Sequence, residues 1–141
     1  MSPQSHIELT AWVLLPPVLV ATVLIGAMSL LSEPSRQKFS AIFLAGAGAA
    51  YLSGGFGILE FGFCAAITYL AYRGLGSYGA IALGWVLHTC WDVGHHFYGN
   101  PIVPFQPTSS IGCAVCDLGL AAWYLIHAPS IWKLRSPAVV R

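Results

Sequence analysis

Four ionisable side chains recur within one short stretch of the sequence, at His88, Asp92, His95 and His96. Because an α-helix turns about 100° per residue, all four positions fall within roughly 100° of arc on one helix face. Imidazole and carboxylate groups at i, i+4 and i+7 or i+8 spacing can bind one divalent metal ion together. The pattern therefore predicts a metal site, with zinc or iron as its ion.

Two acidic residues in neighbouring apolar segments, Glu60 and Asp117, extend this prediction. A carboxylate beside a metal ion can complete the coordination shell or take a proton from bound water, so both are predicted catalytic residues. Two alternatives need no metal. The same groups could form a proton or ligand site, or they could pair with one another and hold helices together.

A Cys-x-x-Cys motif, Cys113 to Cys116, directly precedes Asp117. Such motifs are typical of thiol redox or metal chemistry, and quinone-linked oxidoreductases of the vitamin K epoxide reductase type carry one in the membrane. Those enzymes need a second cysteine pair, whereas Cys64 and Cys90 lie far apart here. Cys113 and Cys116 are therefore candidate redox residues, soft metal ligands or small packing residues.

The elements that must position these residues are apolar. Of 141 residues, 57% are hydrophobic and 8% are charged, against roughly 25% charged in a typical soluble domain. The composition predicts an all-α integral membrane helical bundle, and a net charge of +1 without a basic run argues against nucleic-acid binding. Apolar stretches predict about five transmembrane helices, at about 9–31, 39–53, 56–72, 77–94 and 110–128.

The cationic residues predict how such a bundle is oriented. If the five segments alternate in direction, all six lie on one side of the bilayer, at Arg36, Lys38, Arg73, Lys133, Arg135 and Arg141. The positive-inside rule makes that side cytoplasmic, with the N-terminus outside and the C-terminus inside. The charges fit equally well an alternative with three spans plus a re-entrant helical hairpin at 39–72.

The segment 97–109 carries no charge and three prolines, Pro101, Pro104 and Pro107. It is too broken to span a bilayer and too apolar to extend into water, so it is predicted to fold as a lid over the outer mouth of the bundle. A lipid-like or small apolar ligand would then enter beneath it from the bilayer. The last residues, 136–141, are expected to be a frayed tail.

Several blocks of the sequence resemble a family of small bacterial multi-spanning membrane proteins known only as a domain of unknown function. The resemblance covers roughly residues 45–130, and its blocks are 51–57, 68–74, 88–96, 98–104 and 113–117. It implies a bacterial inner-membrane protein whose blocks form one unit. It implies no substrate and no catalytic assignment.

The sequence thus favours a membrane metalloprotein, and as an enzyme it would carry out metal-assisted hydrolysis or hydration of a lipid-like or small apolar substrate. One alternative is a non-catalytic accessory subunit of a homo-oligomer or larger membrane complex, for which the Ala/Gly run 45–50 offers a close-packing face. Another alternative is a thiol redox protein that uses Cys113 and Cys116.

Overall fold

The computed structural model describes residues 11–98, 100–103 and 105–132, with side chains from residue 13 onward. This part of the chain is all-helical, which confirms the prediction of five helices, and each helix overlaps one predicted segment. The helices are α1 (Ala11–Met28), α2 (Ser35–Ala49), α3 (Ile58–Gly74), α4 (Tyr78–Phe97) and α5 (Ser109–Leu125), and a short 3₁₀ helix (Ala50–Ser53) follows α2. The predicted tail at 136–141 lies outside the described residues.

Helix α4 lies at the centre of the bundle. It packs most extensively on α5 and also contacts α3 and α2, while α1 packs on α5. A Cβ atom at Gly84 would collide with the side chain of Leu44, and one at Gly48 would collide with Ile67. These glycines therefore let α2 approach α4 and α3 closely. Fully buried aliphatic side chains fill the core: Leu44, Ile67, Ile81 and Leu120.

Local sequence explains where α3 and α4 begin. The side chain of Ser77 accepts a hydrogen bond from the Ala80 amide and caps α4. Gly57 precedes α3 with φ of 59°, a left-handed conformation that glycine adopts without a steric penalty. These two boundaries fix the start of the helices that carry Glu60 and His88.

The prediction of an integral membrane bundle is wrong. Among the described residues, no helix combines the length and the apolar character that a bilayer crossing requires. Helices α2, α3 and α5 have 15, 17 and 17 residues, so they reach only about 22–26 Å against the roughly 30 Å of a bilayer core. Helix α4 is longer but carries the polar stripe, and α1 ends at Met28 although the apolar run continues beyond it.

Three dependent predictions are overturned by the same finding. They are the alternative with a re-entrant hairpin at 39–72, the orientation of the termini, and the location in a bacterial inner membrane. Composition misled because an overall excess of apolar residues does not show that each helix is long enough to span a bilayer.

Arg36 illustrates why the charge pattern was also misleading. Its side chain is buried, and its guanidinium donates hydrogen bonds to the carbonyls of Leu31 (3.1 and 2.9 Å) and Ala128 (2.6 Å). Glu33 lies 3.4 Å away as an ion-pair partner. Arg36 therefore joins the start of α2 to the segment that follows α5, instead of marking one side of a membrane.

Replacing Arg36 with Met should lower the unfolding temperature by about 10 °C. Methionine keeps the apolar stem but leaves buried carbonyls unpaired, which costs about 3 kcal/mol, and a chain of this size loses about 2–4 °C per kcal/mol. Thermal unfolding followed by circular dichroism measures the change. Lys38→Met is the matched control, because Lys38 is an exposed cation on the same helix. Equal losses in both variants would contradict the role given to Arg36.

Candidate metal centre

Helix α4 turns three of its four predicted ligands into the interior of the bundle. His88, Asp92 and His95 are 5%, 0% and 1% exposed, whereas His96 is only partly buried. His96 follows His95 by one residue and is thus rotated by about 100° around the helix. Its ring lies beside Phe97, with 5.9 Å between the ring centroids.

Three of the predicted site residues meet between α4 and α5: His88, Asp92 and Asp117. Nδ1 of His88 lies 2.7 Å from Oδ2 of Asp117 and 3.4 Å from Oδ2 of Asp92. One donor atom from each side chain lies within 4.8 Å of the other two. We call these residues the His88–Asp92–Asp117 cluster. It places Asp117 among the candidate ligands, which is one of the two roles that the sequence suggested for it.

The cluster fits a divalent metal ion by two criteria. Oδ2 of Asp92 is buried and has no hydrogen-bond partner among the described residues, and the same holds for Nε2 of His88. A buried carboxylate oxygen without a partner is costly, and a cation between the donors would satisfy it. In tetrahedral zinc sites, bonds of 2.0–2.2 Å separate neighbouring donor atoms by roughly 3.3 Å. The 3.4 Å between His88 and Asp92 is close to this value, whereas the 2.7 Å between His88 and Asp117 is a hydrogen bond that a bound ion would have to replace.

The cluster also perturbs the protonation of Asp92. The pKa of Asp92 is raised from 3.8 to about 10, mainly by burial and also by the negative charge of the neighbouring Asp117 carboxyl. Two carboxylates this close cannot both hold a negative charge without a compensating cation. A metal ion would supply that charge and displace the proton from Asp92.

Tyr51 is a part of the site that the sequence did not assign. It lies in the 3₁₀ helix after α2, it is 1% exposed, and its hydroxyl donates a hydrogen bond to Oδ1 of Asp92. The only sequence signal was a tyrosine in an apolar segment, since a buried phenol hydroxyl needs a partner.

Glu60 and His95 form a second buried cluster beside the first. Nε2 of His95 lies 3.0 Å from Oε1 of Glu60, an ion-pair distance without the angles of a hydrogen bond. Oε1 also accepts from the Phe56 amide (3.1 Å), and Oε2 accepts from Nε1 of Trp91 (2.8 Å). The structure thus places the predicted base Glu60 with His95, and donors already occupy both of its oxygens.

The partners of His95 assign its protons. Nδ1 lies 3.1 Å from the carbonyl oxygen of Asn100, which can only accept, so Nδ1 carries a proton. A neutral ring would then point the lone pair of Nε2 at the carboxylate of Glu60. Nε2 bears a proton only in the imidazolium form, in which it pairs with the carboxylate of Glu60. In this form Nε2 has no lone pair for a metal ion.

Asn100, in the segment predicted as a lid, contacts this second cluster. Beyond its contact with His95, the carbonyl of Asn100 accepts from Ser110 at 3.4 Å. The side chain of Asn100 packs against Gly55, where a Cβ atom would collide with it. Asn100 therefore links the loop to the turn before α3.

Cys113 and Cys116 are free thiols next to the carboxylates. Burial, and then the negative charges of Asp92 and Asp117, raise the pKa of Cys113 to about 12 and that of Cys116 to about 11. Both thiols are therefore protonated near neutral pH. Because the thiolate is the reactive form, this environment weighs against the redox alternative, which stays a prediction.

The cavities described lie away from the cluster. A surface groove of about 680 Å³ runs along α3, and a smaller cavity of about 260 Å³ lies between the prolines of α1 and the start of α5. The groove is lined mainly by apolar and aromatic side chains: Leu52, Phe61, Cys64, Ala65, Thr68, Tyr69 and Tyr72. The His88–Asp92–Asp117 cluster lines neither of them.

The chain belongs to a family of unknown function (DUF6010), whose model matches residues 12–130. No curated protein and no solved structure matches the chain. The family resemblance predicted from the sequence blocks is therefore confirmed to the level of a domain of unknown function. The match supports neither the bacterial source nor the membrane-spanning character that the resemblance implied.

Proposed function

We propose that the protein binds one divalent transition metal ion, zinc or iron, through His88, Asp92 and Asp117. The observation that carries this proposal is Oδ2 of Asp92, a buried carboxylate oxygen that lacks a hydrogen bond and faces two other donor groups. The raised pKa of Asp92 supports it, because burial and the charge of Asp117 disfavour the carboxylate form, which a bound cation would stabilise.

The donor set also suggests what the ion would do. One imidazole and two carboxylates suit zinc or iron, and three protein ligands leave a coordination position for water or substrate. A bound ion of this kind supplies Lewis-acid activation for hydrolysis or hydration. A small apolar or lipid-like molecule remains the proposed substrate class, and the pair of Glu60 and His95 stabilises the adjacent structure instead of acting on the ion.

The metal content of the purified chain tests the proposal. The protein, prepared without a histidine tag and stripped with a chelator, is dialysed against Zn²⁺ or anaerobic Fe²⁺ and measured by elemental mass spectrometry. We expect about one ion per chain in the wild type, and an affinity loss of about tenfold or more in His88→Ala.

His96→Ala is the matched control, because it removes a histidine from the same helix outside the cluster. It should keep the wild-type metal content. A folded wild type that takes up neither ion would overturn the proposal, and so would equal losses in His88→Ala and His96→Ala. The cluster would then be a metal-free hydrogen-bond network.

A second candidate function is that of a non-catalytic subunit in a homo-oligomer or larger complex. Large apolar side chains are exposed on α1 and α3, such as Val23 (69%) and Ile58 (79%). Extended exposed apolar surface is typical of proteins that bind a partner. A folded, metal-free wild type that assembles with itself or with other chains would favour this candidate over the first.

A further inference from the structure

Tyr51 occupies a fixed place between the two buried clusters. Its ring centroid lies 5.1 Å from that of His88, 5.0 Å from that of His95 and 5.2 Å from that of Phe63. The Tyr51 carbonyl accepts from the Gly54 amide at 2.8 Å and closes the turn after the 3₁₀ helix. Ring contacts hold the Tyr51 side chain and the turn holds its backbone, so the Tyr51 hydroxyl has a defined direction.

The Tyr51 hydroxyl engages only one of the two carboxylate oxygens of Asp92. It donates to Oδ1, whereas Oδ2 has no hydrogen-bond partner among the described residues and faces Nδ1 of His88. A carboxylate oxygen that already accepts from a phenol is a poorer ligand than its unengaged neighbour, so Oδ2 is the oxygen better placed to bind an ion. The hydrogen bond also fixes the rotation of the carboxylate, as outer partners of metal ligands commonly do.

We infer that Tyr51 is a positioning residue of the metal centre, which makes Asp92 bind the ion through Oδ2 alone. This inference rests on the proposed function. One-oxygen binding keeps the number of ligands low, and it suits zinc, which prefers four ligands, over larger ions that take more oxygen donors. Tyr51 would therefore set both the affinity and the selectivity of the site.

The test compares Tyr51→Phe with the wild type in two metal titrations. Phenylalanine keeps the ring and its contacts and removes the hydroxyl alone. We expect the Zn²⁺ affinity, measured against a chromophoric chelator, to fall about 10- to 100-fold. The preference for Zn²⁺ over Mn²⁺ should also fall, because Oδ1 becomes free to bind. Tyr72→Phe, which alters an exposed tyrosine, should change neither value.

A Co²⁺ spectrum reports the coordination directly. Four-coordinate Co²⁺ absorbs visible light far more strongly than six-coordinate Co²⁺, so the wild type should give intense bands and Tyr51→Phe weaker ones. A purely structural role for Tyr51 would lower stability without changing the spectrum of the bound ion. The wild-type spectrum alone tests the inference if the variant does not fold, since weak six-coordinate bands would overturn one-oxygen binding.

The outcomes distinguish the role of Tyr51 from the proposed metal binding on which it rests. A wild type that binds no metal overturns the proposed function. A wild type that binds Zn²⁺, with a Tyr51→Phe variant of equal affinity, selectivity and Co²⁺ spectrum, overturns the role of Tyr51 and leaves the metal centre intact.

Discussion

The Asp92→Asn variant is expected to lose metal binding and, without metal, to be more stable than the wild type at pH 8. Asparagine has nearly the shape of aspartate and can still accept a hydrogen bond from Tyr51. It can also donate to the carboxylate of Asp117, but it carries no negative charge for an ion. One substitution thus removes a ligand and relieves a buried repulsion.

The pH dependence follows from the direction of the pKa shift. The pKa of Asp92 is about 10 in the folded protein, against 3.8 for the ordinary carboxyl, because burial and Asp117 disfavour its charged form. The contribution of the protonated Asp92 carboxyl to the free energy of unfolding is therefore fully present below about pH 4. As pH rises from about 4 to 10, the wild type loses up to about 1.4 kcal/mol per pH unit from this group.

Thermal unfolding in the presence of a chelator, repeated from pH 5 to pH 9, measures this effect. The difference in unfolding temperature between Asp92→Asn and the wild type should grow with pH, by roughly 3 °C per kcal/mol. With Zn²⁺ at 100 times its dissociation constant, the wild type should gain about 2.7 kcal/mol and the variant nothing. A temperature difference that does not change with pH would contradict the raised pKa.

The sequence was sufficient to predict the stripe on α4 and the acids that meet it. Helix periodicity is set by backbone geometry, so His88, Asp92 and His95 had to share a face wherever α4 was placed. Glu60 and Asp117 were expected to approach that stripe because the predicted five-span topology put them at its depth, a premise that the structure overturns. The structure places both acids against it, from α3 and α5 respectively.

The division of these residues into two clusters could not be predicted from spacing. An arc of roughly 100° holds both His88 and His95, yet they lie two turns apart along the helix and meet different neighbours. His95 is paired with Glu60 because the turn before α3 and the carbonyl of Asn100 close around it. Tyr51 was missed for the same reason, since it reaches Asp92 across 41 positions of sequence.

The membrane prediction was wrong because the segments at 39–53 and 56–72 were accepted as spans although they were short. Gly54 and Gly55 lie in a turn that limits α2 and α3 to 15 and 17 residues, and the polar stripe makes α4 less apolar. Apolar residues counted as lipid-facing are divided between the core and the surface of the bundle, as Leu44 and Ile58 illustrate.

The Glu60→Ala variant should show the largest loss of stability, about 3–5 kcal/mol. Removing the carboxylate leaves the buried Nε2 of His95 without its partner and leaves Nε1 of Trp91 and the Phe56 amide without an acceptor. Glu60→Gln should lose less, because its amide oxygen can still accept one of these hydrogen bonds. Chemical denaturation gives the free energy of unfolding for each variant.

Metal content and a double-mutant cycle then decide what the pair does. The Glu60→Ala, His95→Ala double variant should lose less stability than the sum of the single variants, because each single change leaves one buried charge unpaired. Metal content should stay at the wild-type level wherever the variant is folded, since the ion binds the His88–Asp92–Asp117 cluster. Additive losses would show that Glu60 and His95 are not an ion pair. Loss of metal at unchanged stability would place them in the metal centre and contradict the division into two clusters.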